Sequence, residues 1–375
     1  MNDLVNLLNH TDMEAVLTDF GRRTRQEDPI VHFYETFLAA YGPKLREARG
    51  VYYTPEPVVS YIARSVDALL KTRFNCPQGL ADSSTITIPN YDPSLTVKGN
   101  PPYSGHSANK SDWIEGLLKG KLPDGSKTDN YYEVDSKPLG ERNPKYLQDD
   151  YVKFIRFGQW RIERSGGGIL AFITNHGYLD NPTFRGMRQS LMQTFTDIYI
   201  LDLHGNAKKR ETAPDGCKDD NVFDIQQGVA IGIFVKQPGK SGPAKVYHAD
   251  LWGTRAQKYE QLFEQDVIIT EWQQLTPQPP FYLFASQNVD LQAEYAGCWS
   301  SLDIFPLTTT GIKTHRDHFA VGFEEAELLN RVIDFRNLQK SSEELSALYK
   351  LKNTRDWKIE PFPFLRQNSR MAHGD

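Results

Sequence analysis

Between Gly166 and Trp252 the chain alternates short apolar runs with polar or amphipathic ones. This alternation restricts the fold more than any other feature. "GGGILAFIT" (166–174), "DIYILDLHG" (197–205), "GVAIGIFVK" (228–236) and "AKVYHADLW" (244–252) are each of strand length, rich in β-branched and aromatic residues, and bounded by glycine or polar residues. "TFRGMRQSLMQTF" (183–195) has the spacing of an amphipathic helix and separates the first two. Strand, helix, strand and then two more strands predict an α/β unit, with the last members forming a hairpin-like edge. Within that helix Arg185 and Arg188 lie three residues apart and read as structural.

Helices are also predicted over residues 149–163 and from Thr54 onward. Thr54 is expected as the N-cap, with Pro55 at the first helical position and Val58, Ile62, Val66, Leu69 and Leu70 on the inner face. Residues 2–48 read as helical, with Val31, Tyr34, Phe37, Leu38 and Tyr41 on one stripe. The stretch from 75 to 97 is irregular, and the polar, Gly- and Pro-rich stretch from 104 to 147 is expected to be a long surface loop. "TPQPPFYLF" (276–284) reads as a linker, followed by helices near 324–335 and 342–349. The expected organisation is a helical region over 1–50, a main domain over 51–276 and a further region over 277–375.

A hydrophobic content of 39% with 24% charged residues fits a soluble globular protein. No apolar run approaches the length of a membrane span, and the N-terminus lacks the pattern of a secretory signal. Cys76, Cys217 and Cys298 are far apart and form no disulfide framework, which predicts a reducing, cytoplasmic setting. The net charge of −5 removes a global electrostatic case for nucleic-acid binding, so any such contact must use local basic patches. Nine histidines with neither HxxxH nor HxH spacing predict no metal site.

The heptapeptide "GNPPYSG" (99–105) carries the chemistry. An enzyme that modifies the exocyclic amine of a base must first take that base out of the stack. It then needs two acceptors for the amine hydrogens and a flat surface for the ring. The Asn100 carboxamide supplies one acceptor, a carbonyl held by the Pro101-Pro102 corner supplies the second, and Tyr103 supplies the surface. The same four residues also suit an Asn-capped proline turn packed by a tyrosine.

"NPPY" resembles the fourth motif of the amino-methyltransferases, in particular the N6-adenine DNA methyltransferases. Four flanking blocks resemble the large single-chain (type ISP and type IIG-like) restriction-modification enzymes. They are "HFYETFLAAYGPKLREARGVYYTPEPVVSYI", "GNPPYSGHSANKSDWI", "GGGILAFITNHGYLDNPTFRGMRQSLM" and "LDLHGNAKKRETAPDGCKDDNVFDIQQGVAIGIFVK", and they span roughly Val31 to Trp252.

The resemblance implies methyl transfer from S-adenosylmethionine to a flipped adenine in double-stranded DNA, with no membrane role. By position, Tyr53, Thr54 and Pro55 would contact the methionine end of the cofactor. Asn100, Pro101, Pro102 and Tyr103 would hold the adenine, and Phe223 would cover its other face. Lys208, Lys209 and Arg210 would meet phosphates. "TTTGIKTHRDHF" (308–319) resembles the entry to a target-recognition region, with Lys313 and Arg316 toward DNA.

The family's glycine-rich first motif and the acidic motif after it do not occur between Thr54 and Asn100; Asp92-Pro93 is followed by no GxG. The implied fold is therefore an incomplete Rossmann-like methyltransferase sheet, internally truncated between about 75 and 100. It has a helical N-terminal region and the start of a C-terminal target-recognition region. Two functions follow: an adenine-N6 methyltransferase lineage, impaired or inactive as the sequence stands, or a non-catalytic DNA-binding remnant of one.

Overall fold

The computed structural model describes residues 54–83, 96–99, 101, 107, 110–122, 124–141, 144–240 and 242–286. In the C-terminal part it describes 291, 294–295, 297–305, 307, 314–354 and 357–360. The helices expected over 2–48, and Tyr53, Asn100, Pro102, Tyr103 and Lys313, lie outside the described residues. The chain forms two compact units, Met1–Gln287 and Asn288–Asp375.

The first unit is built on a six-stranded mixed sheet of β1 (Thr96–Gly99), β6 (Gly168–Asn175), β7 (Asp197–Asp202), β8 (Val229–Lys236), β9 (Lys245–Asp250) and β10 (Gln273–Leu275), in the order β1-β6-β8-β7-β9-β10. All four runs singled out above are strands. β1 is parallel to β6, with Thr96 opposite Ile169 and Gly99 opposite Phe172. β8 is antiparallel to both neighbours, and β9 is parallel to β7.

The hairpin-like edge expected from adjacent runs is not formed by β8 and β9. β8 returns between β6 and β7, and β9 joins β7; the antiparallel edge is β9 with β10. Burial explains the difference. β6 and β8 are buried along nearly their whole length and β7 throughout, so they need covered faces and partners on both sides. β9 alternates buried with exposed positions, which suits a place further out.

Helix α1 (Glu56–Arg73) buries Val58, Ile62, Val66, Leu69 and Leu70, as the spacing predicts, and Tyr61 in addition. Its start differs from expectation. Pro55, not Thr54, is the cap residue, and no side chain closes the first turn; the Pro55 carbonyl accepts from the amides of Val58 and Val59. α1 packs against α5 (Arg255–Glu264), whose own start is closed by a reciprocal Thr254–Gln257 capping box. α3 (Asp150–Ser165) and α4 (Arg185–Thr194) occupy the two predicted helical stretches.

The stretch from 104 to 147 is not a long surface loop. It contains α2 (Asp112–Leu118), paired strands β2 (Lys119–Lys121) and β3 (Lys127–Asn130), and a smaller hairpin of β4 (Glu133–Val134) and β5 (Lys137–Pro138). Leu117, Leu118, Tyr131 and Leu147 are fully buried. Gly125, with a φ of +82° and its amide bonded to the Leu122 carbonyl, serves the turn between β2 and β3, while the sparse apolar residues fill the core. Average polarity hides that division of labour.

This insertion meets α3 and α4 in a buried polar cluster. Tyr131 Oη donates to Gln159 Oε1 at 2.7 Å, and Arg156 Nη2 donates to Thr128 Oγ1 at 2.8 Å. Gln159 Nε2 and Thr194 Oγ1 both reach Asp129 Oδ2, at 2.9 and 3.0 Å. Glu163 accepts from Thr194 at 2.9 Å. Burial raises the Glu163 carboxyl; the Arg156 charge opposes this and the Asp129 carboxylate adds to it, leaving it at about 7.

An unfolded glutamate titrates near 4.5. The folded state therefore holds an extra proton between the two values, and stability falls as pH rises through that window and is level above it. Replacing Glu163 with Gln is expected to remove about 2 kcal/mol of the difference in unfolding free energy between pH 5 and pH 8. Urea unfolding at the two pH values measures this, and an unchanged difference would assign the pH dependence elsewhere.

The second unit contains α6 (Glu325–Arg336) and α7 (Ser342–Leu348), close to their expected positions. Phe335, Leu345, Leu351 and Ile359 form a small core. The Arg316 guanidinium stacks 3.8 Å from the centre of the Trp357 ring. All three cysteines are free, and no described helix is long and apolar enough to cross a membrane.

Candidate functional site at the carboxyl edge of the sheet

The parallel and antiparallel pairings make β1, β6, β7 and β9 run in one direction, so their carboxyl ends share one edge of the sheet. In open α/β sheets this edge is where ligands bind. β1 stops at Gly99, level with Phe172, on its way to that edge. Pro101 is buried. A short strand thus does lead into the "NPPY" stretch, although only "TVKG" forms it.

The same edge holds a polar cleft of about 220 Å³, lined among others by His176, Asp202, His204, Glu211, His248 and Asp250. All of these except Glu211, which lies in the β7–β8 loop, come from a strand end. His176 is the first residue after β6, Asp202 closes β7 with His204 two residues on, and His248 and Asp250 end β9. Asp202 Oδ1 lies 3.0 Å from His176 Nδ1 and accepts the His204 backbone N–H at 2.9 Å. Asp250 Oδ1 is shared by His204 Nε2 at 2.8 Å and His248 Nε2 at 3.0 Å.

Burial disfavours protonation of His176, but the hydrogen bond and charge of Asp202 outweigh it and hold the imidazole above its ordinary value. Burial likewise opposes ionisation of Asp250, yet its two histidine partners hold it well below the usual carboxylate range. The cleft is thus a dense mixture of carboxylates and imidazoles, each kept in orientation by another.

The loop between β7 and β8 is scaffolded from below. Asn221 Nδ2 donates to the carbonyls of Gly205 at 3.0 Å and Gln227 at 2.7 Å, and its Oδ1 accepts from Phe223 N at 2.8 Å. Gly205 has a φ of +77°, and a Cβ there would lie 2.4 Å from Asn221 Cα, so only glycine fits. A Cβ on Gly228 would fall 2.3 Å from the His176 ring, so its absence leaves room for the imidazole. Lys258 and Asp219, both fully buried, pair at 2.6 Å beneath this loop.

The residues predicted from sequence are not all gathered here. Lys208, Lys209 and Arg210 are exposed on the β7–β8 loop, with Lys209 Nζ 3.3 Å from Asp180 at the rim of the cleft. Phe223, expected against the face of a base, is 4% exposed and packs in the main core. Thr54 and Pro55 are half-buried before α1. Arg316 lies in the second unit, engaged with Trp357. The sequence does not single out the histidine and carboxylate cleft. Its one signal is the recurrence of Asp or His at the carboxyl end of three of the four apolar runs, 166–174, 197–205 and 244–252, and periodicity gives such residues no weight.

A mixed α/β sheet with a polar cleft at its carboxyl edge defines the structural class. Residues 303–368 match the Type ISP C-terminal specificity domain. No curated protein sequence matches the chain. Among solved structures, the fold is similar to that of the ATP-dependent Type ISP restriction-modification enzyme LlaBIII bound to DNA, with a TM-score of 0.60 and 20% identity over 90% of this chain and 30% of that one. It is similar to a chain of the DrdV–DNA complex, with a TM-score of 0.58 and 20% identity over 87% of this chain and 42% of that one. It is also similar to a nuclease-deletion mutant of the Type ISP enzyme LlaGI in complex with a DNA substrate mimic, with a TM-score of 0.56 and 17% identity over 93% of this chain and 43% of that one. The chain therefore spans less than half the length of each of these structures. At such identities the likeness is one of fold: the chain has the fold of part of the Type ISP restriction-modification enzymes and carries their specificity-domain match near its C-terminus.

Proposed function

We propose that this chain is the target-base and DNA-recognition portion of a site-specific adenine-N6 methyltransferase of a restriction-modification system. The observation that carries the reading is that β1 runs parallel to β6 toward the sheet's carboxyl edge and ends at Gly99, the residue that precedes "NPPY" in the sequence. In this reading the Asn100 carboxamide and the Pro101 carbonyl accept the two hydrogens of an extrahelical adenine amine, and Tyr103 stacks on the ring, where stacking contributes about 1–3 kcal/mol. Lys208, Lys209 and Arg210 provide a local positive rim for phosphates, and the region matched over 303–368 selects the site.

S-adenosylmethionine is the methyl donor this lineage implies. Among the described residues, β1 is the outermost strand on its side of the sheet, and no glycine-rich turn follows a strand there. The described residues do not form a cradle for the cofactor, and no step is derived through it.

That same observation favours a second reading, a DNA-binding remnant without methyl transfer. Two measurements separate them. Calorimetric titration with S-adenosylmethionine, and incorporation of labelled methyl groups into unmethylated duplex DNA, are expected to be positive for the enzyme, with incorporation lowered at least tenfold by Asn100→Ala. Silence in both with retained binding of duplex DNA establishes the remnant.

A further inference from the structure

We propose that His176, His204 and Glu211 form a site for one zinc-class divalent cation at the carboxyl edge of the sheet. This goes beyond methyl transfer and does not depend on it. One ligand atom from each of the three residues can be chosen so that all lie within 4.8 Å of one another.

The hydrogen bonds decide which atoms face inward. His176 Nδ1 is taken by Asp202 at 3.0 Å, and its Nε2 meets the Asn206 amide nitrogen at 3.1 Å. An amide nitrogen can only donate, so Nε2 carries the lone pair that a cation would use. His204 Nε2 is taken by Asp250 at 2.8 Å, which leaves Nδ1 without a hydrogen bond among the described residues, 3.7 Å from Asp202 Oδ2 and 4.0 Å from Glu211 Oε2. Each imidazole therefore has a carboxylate behind it, the arrangement that orients histidines ligating a metal and raises their basicity.

Rigidity and charge support the same site. His176 follows β6 directly, and His204 is fixed by its backbone N–H to Asp202 and by stacking on Trp252, with ring centres 3.3 Å apart. Asp202, Asp250 and Glu211 bring three carboxylates to one cleft, which a divalent cation would offset. Two imidazole nitrogens and one carboxylate oxygen suit a borderline ion, and three protein ligands leave a fourth position open to the cleft. The overlapping triad of Asp202, His204 and Asp250 is richer in oxygen and would suit a hard ion such as magnesium instead.

Zinc titrated calorimetrically into the chelator-stripped full chain tests the proposal, with cobalt(II) substitution to read the coordination. One equivalent is expected to bind, unaffected by excess magnesium, and cobalt is expected to show the visible absorption of a four- or five-coordinate ion. Glu211→Gln, which retains an acceptor for the Asn206 backbone N–H now 2.9 Å from Glu211 Oε2, is expected to weaken zinc at least tenfold with an unchanged circular dichroism spectrum. Asp202→Asn is expected to weaken it tenfold or more while keeping the stoichiometry. Absence of saturable binding, full competition by magnesium, or unchanged affinity in a folded Glu211→Gln variant would each overturn the site.

Discussion

Replacing Lys258 with Ala is expected to destabilise the first unit by about 3–5 kcal/mol, since it strands a buried carboxylate. The Lys258 ammonium is fully buried and donates to Asp219 Oδ1 at 2.6 Å and to the carbonyls of Leu203 and Asp220, each at 2.7 Å. Without it, Asp219 keeps, among the described residues, the amides of Gly205 at 2.7 Å and Gly253 at 3.0 Å. A loss of that size is a large part of the stability of a typical domain.

The interaction is testable apart from the cost of burial. In a double-mutant cycle with Asp219→Asn, the pair is expected to show a coupling of about 2 kcal/mol by urea unfolding. Additive losses would mean that the two groups contribute separately. Because this pair underlies the loop bearing Lys208, Lys209, Arg210 and Glu211, amide exchange there is expected to accelerate in Lys258→Ala.

Arg188→Ala is expected to cost about 3 kcal/mol, through a different mechanism. The Arg188 side chain is fully buried and binds no carboxylate among the described residues. Its Nε and Nη2 donate to the Phe281 carbonyl at 3.0 and 2.6 Å, and Nη1 donates to the carbonyls of Tyr178 at 2.7 Å and Asn181 at 3.0 Å. Burial pushes the guanidinium down to about 9. Three carbonyls arranged around a planar fork are not matched by an ammonium, so Arg188→Lys is expected to recover less than half of the loss. The freed segment is the one carrying Phe284, which is fully buried and whose amide bonds to the Leu179 carbonyl at 2.9 Å. Faster proteolysis near 281–286 in both variants would confirm the link; unchanged cleavage would refute it.

That contact also explains why proline content is a poor guide to the limits of the first unit. "TPQPPFYLF" reads as a linker, yet Arg188 holds its Phe281 carbonyl and Phe284 enters the core, and the units divide after Gln287. The arginine had read as structural, but its partner lies 93 residues away and could not be named from spacing. The insertion of 104–147 failed the same way: Tyr131 and Leu117 look isolated in a polar stretch until α3 and α4 are placed against them. The "NPPY" reading comes from residue chemistry and from resemblance, while β1 before it begins inside a stretch that reads as irregular.

The existence and type of β6, β7, β8, β9, α3 and α4 were already written in the chain, because two-sided burial produces apolar runs and one-sided burial produces a period of three to four. Which strand lies beside which was not, since pairing partners are chosen by how completely each strand's two edges and faces can be covered. The insertion of β8 between β6 and β7 is the case in point. It brings the ends of β6, β7 and β9 to one edge, and with them His176, Asp202, His204 and Asp250, residues whose shared chemistry depends on distances that no local pattern encodes.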